Sequence, residues 1–403
     1  MSSYYTSNSA YGSFYSEQKK RIEEDRNKEI SKREASNNFN SYQNKPYQYS
    51  NNYNYQIPKK KESLTENISY SLNGLNNLGN TCYINTCLQN LIHCEPFITK
   101  FLKEINKINS NQNSRTYPIS NSFYELLLQM CEINKDYINP SNFVNTFINI
   151  HGNFKRYQEN DTQEFCRYLL QDFNYELNTV ESPSNYKKEL PKTKDKNEMF
   201  NNYKKDCLSK ENSIITDLFI GYFSFEYLCE CGYKQYSFSQ FLDLPVQMES
   251  NAYGYELYQM LKNNFYKKSY VDMGENCSFC GRTSKKNEIM KIAYLPDILI
   301  ISLQRINNKY GTKNESFVKF YEGLDLKEII DTEITNRGDT KYDLFAISNH
   351  IGQINSGHYF SHIKIGNEWY CFEDSKVYKI GKQIDMNTKE VYTLFFKRHN
   401  LKY

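Results

Sequence analysis

Cys82 is the residue of this 403-residue chain best suited to covalent chemistry. It follows a Gly/Asn-rich stretch, residues 74–81, and opens a helix predicted by Ile84, Leu88, Leu91 and Ile92 at i, i+4, i+7 and i+8. The attacking species is the thiolate, and an ordinary cysteine with a pKa of about 8.5 is only slightly ionised at neutral pH. Partial positive charge at a helix N-terminus raises that fraction. The sulfur is therefore expected at the exposed end of a rigid element. Such a thiol needs a base, and the chain has 6 histidines. His93 lies too far along the same helix, and His151 and His399 stand among polar residues with no acidic residue at a useful spacing. His350, His358 and His362 fall together in residues 342–365, and His358, directly after Gly357 at the start of a predicted strand, is the best-placed base. An arbitrary strand histidine is more often just bonded to a backbone carbonyl.

The segment after His358 shifts that balance. Residues 358–365 and 368–375 read as two strands joined by Gly366 and Asn367, a two-residue hairpin turn. In that register Ile365 faces Glu368, Phe360 faces Glu373 and His358 faces Ser375. Glu373 is then the diagonal neighbour of His358 on one face, within side-chain reach, while Asp374 points to the other face unless the strand bulges. A carboxylate in this position fixes the imidazole tautomer and stabilises its charged form. The register favours Glu373 as orienter, with Asp374 as the alternative.

Several motifs in one order carry a resemblance to the ubiquitin-specific proteases, papain-like cysteine peptidases. These are residues 74–85 around Cys82, residues 159–165 with Asp161 and Glu164, residues 294–305 ending in Gln304 and Arg305, residues 342–359 with His350 and His358, and residues 369–375. The match runs from near Leu72 to near Arg398. It implies an α+β fold with a helical thumb around residues 80–180, a β-sheet palm and β-ribbon fingers around residues 213–290. Cys82 matches the nucleophile, His358 the base, and Asn77, five residues before Cys82, an oxyanion-hole side chain. Asn77 read alone is equally a turn former. Asp161 and Glu164 match carboxylates that grip the arginine-rich tail of ubiquitin. At i and i+3 they share a helix face, and read alone they are a solvated helix surface. Gly352, Gly357 and Tyr359 fall where the resemblance places the channel for the tail's glycines. The chain departs from the family pattern at Glu373, where Asn or Asp is usual.

The resemblance also implies a structural zinc in the fingers, held by Cys229, Cys231, Cys277 and Cys280. The second pair is a C-x-x-C, but the first is C-x-C, with Leu228 at the usual outer-ligand position. Alternation of Phe223, Phe225 and Tyr227, and of Tyr236 and Phe238, supports a ribbon there. A zinc site is favoured over a metal-free thiol cluster, and no catalytic cofactor is implied. The function implied is hydrolysis of the (iso)peptide bond after the C-terminal glycine of ubiquitin. The alternatives are a weakly active or inactive ubiquitin-binding scaffold, or a protease for another ubiquitin-like modifier.

Composition fits an intracellular enzyme, expected in the cytoplasm or nucleus, and a monomer is expected. The 11 cysteines are an odd number and scattered, unlike a disulfide framework. Cys87, Cys94, Cys131 and Cys166 read as small buried helix residues. No apolar run is long enough to span a membrane. Residues 1–66 are rich in Ser, Asn, Tyr and Gln and are expected to be a disordered tail. They carry the whole net charge of +3, so the catalytic region, residues 67–403, is balanced and is no cationic nucleic-acid platform. Residues 182–212, rich in Lys and Asn, read as a loose surface insertion.

Overall fold

The computed structural model describes residue 68 and residues 71–110, 117–132, 137–180, 195–248, 254–265, 268–273, 276–282, 285–307, 312–335, 338–353 and 356–401. The expected N-terminal tail lies outside them. The described chain forms two compact units. The smaller comprises residues 226–235 and 268–289, and the larger holds the remainder.

In the larger unit the helical part is built from α1 (Cys82–Ile92), α2 (Glu95–Ser110), α3 (Pro118–Met130), α4 (Ser141–Ile150) and α5 (Thr162–Glu176). Its core is aromatic: Phe97, Phe101, Phe123 and Phe173 pack with ring centroids 5.1–6.1 Å apart. Helix α1 departs from the expected single apolar stripe, because all eleven of its residues are buried. The amide nitrogens of its polar side donate hydrogen bonds, while Asn85 Oδ1, Gln89 Oε1 and Asn90 Oδ1 lack a partner among the described residues. Asn85 Nδ2 donates to Leu75 O, Gln89 Nε2 to Asn73 O, and Asn90 Nδ2 to Ser348 Oγ. Those bonds offset part of the cost of burying the amides and tie α1 to the chain before it and to the sheet.

Two short helices follow, α6 (Lys196–Leu208) and α7 (Ile214–Leu218). Helix α6 falls inside the stretch read as a loose insertion, and that reading is corrected for residues 196–208. Asp195 caps the helix by accepting from Glu198 N, Phe200 is buried against Tyr222 at 5.6 Å, and Lys196 pairs with the buried Asp331 at 2.5 Å. The signal was obscured because only a few of its residues face the core, too few to give an apolar period.

Strands β1 (Gly221–Leu228), β2 (Lys234–Phe241), β4 (Lys268–Asp272) and β5 (Lys285–Tyr294) form a four-stranded sheet in the order β2-β1-β5-β4. The main sheet contains β3 (Leu244–Gln247), β6 (Ile298–Gln304), β7 (Lys341–Gln353), β8 (Ser356–Ile365), β9 (Glu368–Glu373), β10 (Lys376–Gly381) and β11 (Val391–Arg398). Its order is β10-β9-β8-β7-β11-β6-β3, with Gly323–Asp325 pairing on β7, and helix α8 (Leu257–Phe265) follows β3 in the chain. Strands β6 and β11 are buried along almost their whole length, as their near-continuous apolar sequences require for central strands.

The β8–β9 hairpin has the expected register, from Ile365↔Glu368 to Ser361↔Phe372. Gly366 turns it with φ +60°, the left-handed first position of a tight hairpin. The ladder then stops short of the expected Phe360–Glu373 and His358–Ser375 pairs. Asp374, at φ +50°, begins a second turn that pairs Glu373 with Lys376 and sends the chain into β10.

Candidate active site

The nucleophile side is built by the loop before α1. Gly79 (φ +98°) and Asn80 (φ +54°) take left-handed conformations that fold the loop back over the helix start. Asn77 Oδ1 accepts from Gly79 N at 2.9 Å and Thr81 N at 3.2 Å, so the side chain organises the turn. Its Nδ2 donates to Asp374 Oδ2 at 2.9 Å. An amide nitrogen carries two hydrogens, which leaves one for a further acceptor. Asp374 Oδ1 also accepts from Asn85 Nδ2 at 2.8 Å, and its backbone O accepts from Leu75 N at 2.8 Å. Asp374 therefore faces the Asn77 loop and Asn85.

Cys82 is only 5 % exposed, contrary to the expected solvent-facing sulfur. Its thiol lies against the N–H groups of Tyr359 and Tyr83. Burial pushes the thiol up from its ordinary value, the Tyr359 N–H pulls it back, and the carboxylates of Asp374 and Glu159 push it further up. The helix N-terminus thus does not make this a free thiolate at rest. Desolvation is the largest influence on the thiol.

Tyr359 directly follows His358, so α1 and β8 bring the two ends of the chain into one site. No hydrogen bond joins Cys82 to His358, and His358 Nε2 lacks a hydrogen-bond partner among the described residues. Glu373 Oε1 is 3.4 Å from Nε2, and the two side chains are 38 % and 29 % exposed. Glu373, not Asp374, is the carboxylate beside the imidazole, even though the ladder ends before the diagonal pair forms.

The other histidines have other surroundings, and His362 is pushed down to about 4 by burial. His93 is buried, with its ring nitrogens 2.8 and 3.0 Å from Gln89 O and Ser71 O. His151 and His399 do have carboxylate partners, Asp172 at 2.6 Å and Asp343 at 2.8 Å. Both pairs come from residues distant in sequence, which spacing could not show. His350 is buried against Tyr359, with ring centroids 4.4 Å apart, and its pKa falls to about 4, mainly through burial.

Gly357 leaves no room for a side chain, since a Cβ there would come within 2.0 Å of His350 Nε2. Gly352 adopts φ +85°, and Lys313 Nζ holds its carbonyl at 2.9 Å and that of His350 at 3.0 Å. Tyr359 is buried, its ring 5.5 Å from that of Tyr392.

Asp161 and Glu164 stay neighbours at the start of α5, but Asp161 lies just before the helix rather than on its face. Asp161 is the N-cap of α5, accepting from Gln163 N and Glu164 N, and it also accepts from the Tyr392 hydroxyl. Burial pushes its carboxyl up. Glu164 lies in the first turn, and its side chain is exposed.

In the smaller unit the sulfurs of Cys229, Cys231, Cys277 and Cys280 all lie within 4.8 Å of one another. The Cys229–Cys280 and Cys231–Cys277 separations are both 3.8 Å. A tetrahedral zinc with Zn–S bonds of about 2.3 Å sets its sulfurs about 3.8 Å apart, so the four residues fit that ion. The C-x-C pair converges because the turn is tight: Gly232 (φ +87°) donates to Cys229 O at 2.9 Å, and Cys229 N donates to Tyr233 O at 3.0 Å. The N–H groups of Cys280 and Phe279 lower the Cys277 thiol to about 6, the direction a thiolate ligand needs.

Residues 73–396 match the ubiquitin carboxyl-terminal hydrolase family. The chain belongs to that family. Ubiquitin carboxyl-terminal hydrolase 2 of Bos taurus is 29% identical over 351 residues, covering 84% of this chain and 57% of the relative. The Gallus gallus protein of the same name is 28% identical over 340 residues, covering 81% of this chain and 93% of that one. The chain thus spans little more than half of the mammalian relative. Among solved structures, the SAGA Ubp8/Sgf11/Sus1/Sgf73 DUB module bound to ubiquitin aldehyde is similar with a TM-score of 0.66 at 22% identity, covering 86% of this chain and 72% of that one. This likeness supports the α+β fold of a ubiquitin carboxyl-terminal hydrolase. Sequence reasoning did not single out Glu159, Asn85 or Tyr392, although Glu159 and Asn85 stand within the motifs around Asp161 and Cys82.

Proposed function

We propose that this chain is a thiol-dependent deubiquitinase, hydrolysing the (iso)peptide bond after the C-terminal glycine of ubiquitin. The observation that carries the reading is the packing of α1 against β8, which brings Cys82 to the strand segment that carries His358 and Tyr359. His358 takes the Cys82 proton, and the thiolate attacks the glycine carbonyl. The free Asn77 Nδ2 hydrogen, with N–H groups at the start of α1, holds the oxyanion, a contribution of about 2.7–4 kcal/mol for one such donor. His358 then protonates the departing lysine amine, and water releases the thioester. Glu373 orients the imidazole. Exposed Glu164 meets the cationic tail, with Asp161 fixing the end of α5 beneath it, and Gly352, Gly357 and Tyr359 line the tail's path.

All of these groups come from one chain, which supports a monomer. The 11 cysteines are all free thiols, which supports a reducing compartment, cytoplasm or nucleus. Replacing Cys82 by Ala is expected to abolish cleavage of a ubiquitin–fluorophore conjugate, and retained turnover refutes the reading. The unaligned His358–Glu373 contact favours a second reading, a scaffold that binds ubiquitin without cleaving it. Ubiquitin bearing a C-terminal electrophile separates the two: the protease forms a covalent adduct on Cys82, whereas the scaffold binds without one.

A further inference from the structure

Glu159 makes a contact that the proposed reaction does not use. Its Oε2 accepts from the backbone N–H of Gly357 at 3.2 Å, across 198 residues of sequence. The segment that carries Glu159 is fastened to the nucleophile's loop and helix. The Tyr157 ring lies where a Cβ on Gly79 would be, within 2.4 Å, and Tyr157 O accepts from Asn80 Nδ2 at 3.0 Å. Asn160 Nδ2 reaches the Tyr83 hydroxyl at 3.3 Å, and Thr162 Oγ1 donates to Tyr83 O at 2.8 Å. Tyr157 holds φ +62°, an uncommon conformation for a bulky residue, and the bonds around it maintain that turn. On the other side, Gly357 is pressed against His350 and directly precedes His358.

We propose that Glu159 is a positioning residue, a strut from the nucleophile's side of the site to the strand that carries the base. Because Cys82 and His358 share no direct bond, their spacing depends on backbone placement, and Glu159 sets it one residue from the imidazole. Displacement by about 1 Å of a group that must meet its partner in the transition state costs up to about 100-fold in rate. The role needs reach and an acceptor oxygen. Glu159→Gln keeps both, whereas Glu159→Asp keeps the charge but falls one methylene short.

The inference rests on the deubiquitinase reading, and the test is steady-state turnover of a ubiquitin–fluorophore conjugate by the full chain and three variants, each checked by thermal unfolding. Glu159→Ala and Glu159→Asp are expected to lower kcat by about 10-fold or more with KM within about twofold, the pattern of an interaction that matters to the chemical step. Glu159→Gln is expected to retain a third or more of the kcat, on the order of a hydrogen bond kept with a neutral acceptor. Wild-type kcat in the Asp variant overturns the strut, as does a change confined to KM. So does a Gln variant as impaired as the Ala variant, because the charge would then be the requirement. Absence of turnover by the wild-type chain sinks the deubiquitinase reading instead.

Discussion

The two places where this chain commits cysteines to chemistry treat sulfur differently. At the start of α1, burial and two carboxylates push the Cys82 thiol up. In the smaller unit, backbone N–H groups pull the Cys277 thiol down to about 6, while Cys231 of the same four-sulfur cluster, against the pull of the Tyr233 N–H, is pushed up to about 12 by desolvation and the neighbouring sulfurs. A metal ligand must be a standing anion, and peptide dipoles supply that for Cys277 in a short turn. A nucleophile can rest as a thiol and be ionised only when its base is in place. This difference separates a sulfur that holds structure from one that waits for substrate.

The comparison is tested most severely where the resting thiol depends on its neighbours. Asp374 accepts bonds from both Asn77 and Asn85, at 2.9 and 2.8 Å, whereas Glu373 lies 3.4 Å from His358 without an aligned bond. Replacing Asp374 by Ala is expected to lower kcat by about 100-fold or more, on the scale of losing an oxyanion donor. Replacing Glu373 by Ala is expected to cost about 10-fold or less. The reverse ranking, measured on one ubiquitin conjugate, breaks the account of how the site is held.

Thiol reactivity sharpens the same contrast. Without substrate, alkylation of Cys82 by iodoacetamide is expected to rise with pH through a midpoint above that of an ordinary cysteine. A midpoint near neutrality contradicts the raised thiol. Metal analysis of the purified chain is expected to find one zinc. Chelation at pH 7 should then open four thiols to a chromogenic thiol reagent at least about 10 times faster than Cys82 reacts. Equal reactivity before and after chelation argues against a bound ion.

The smallest effect concerns stability. Burial lowers His362 to about 4, below the unfolded value of about 6.5. Between those values the unfolded chain binds a proton that the folded chain refuses, so acidification removes stability at about 1.4 kcal/mol per pH unit from this one residue. Wild type should therefore lose more stability than a His362→Gln variant when chemical denaturation is compared at pH 7 and pH 5. Parallel losses in the two proteins reject the assignment.

Local patterns in the chain were good guides where the physics was local. The Gly366–Asn367 turn and its register follow from a two-residue loop between alternating strands, whereas Glu373 comes beside His358 although the ladder ends before the pair that predicted it. The motif around Cys82 predicted a helix start, and the spacing of apolar residues predicted the helix. Other features were hidden because they depend on partners far along the chain. The carboxylates on His151 and His399, the Tyr392 hydroxyl on Asp161, and the Glu159 strut all join residues that no spacing rule connects. Helix α6 was hidden for a different reason, since its stability comes from Phe200 and Lys196 meeting other elements.

By itself the order of residues determined which groups can do chemistry here: a thiol at a helix start, a histidine opening a strand, two neighbouring acids and two cysteine pairs. Periodicity and turn chemistry act over a few residues, so these are legible in the sequence itself. Tertiary structure alone decided what state those groups rest in and which partner each one takes. Burial of Cys82 opposes the effect expected from its helix, and the left-handed turn at Asp374 sent two adjacent carboxylates to different duties. Desolvation and hydrogen-bond geometry depend on what surrounds an atom in space, and for these atoms the surroundings come from opposite ends of the chain.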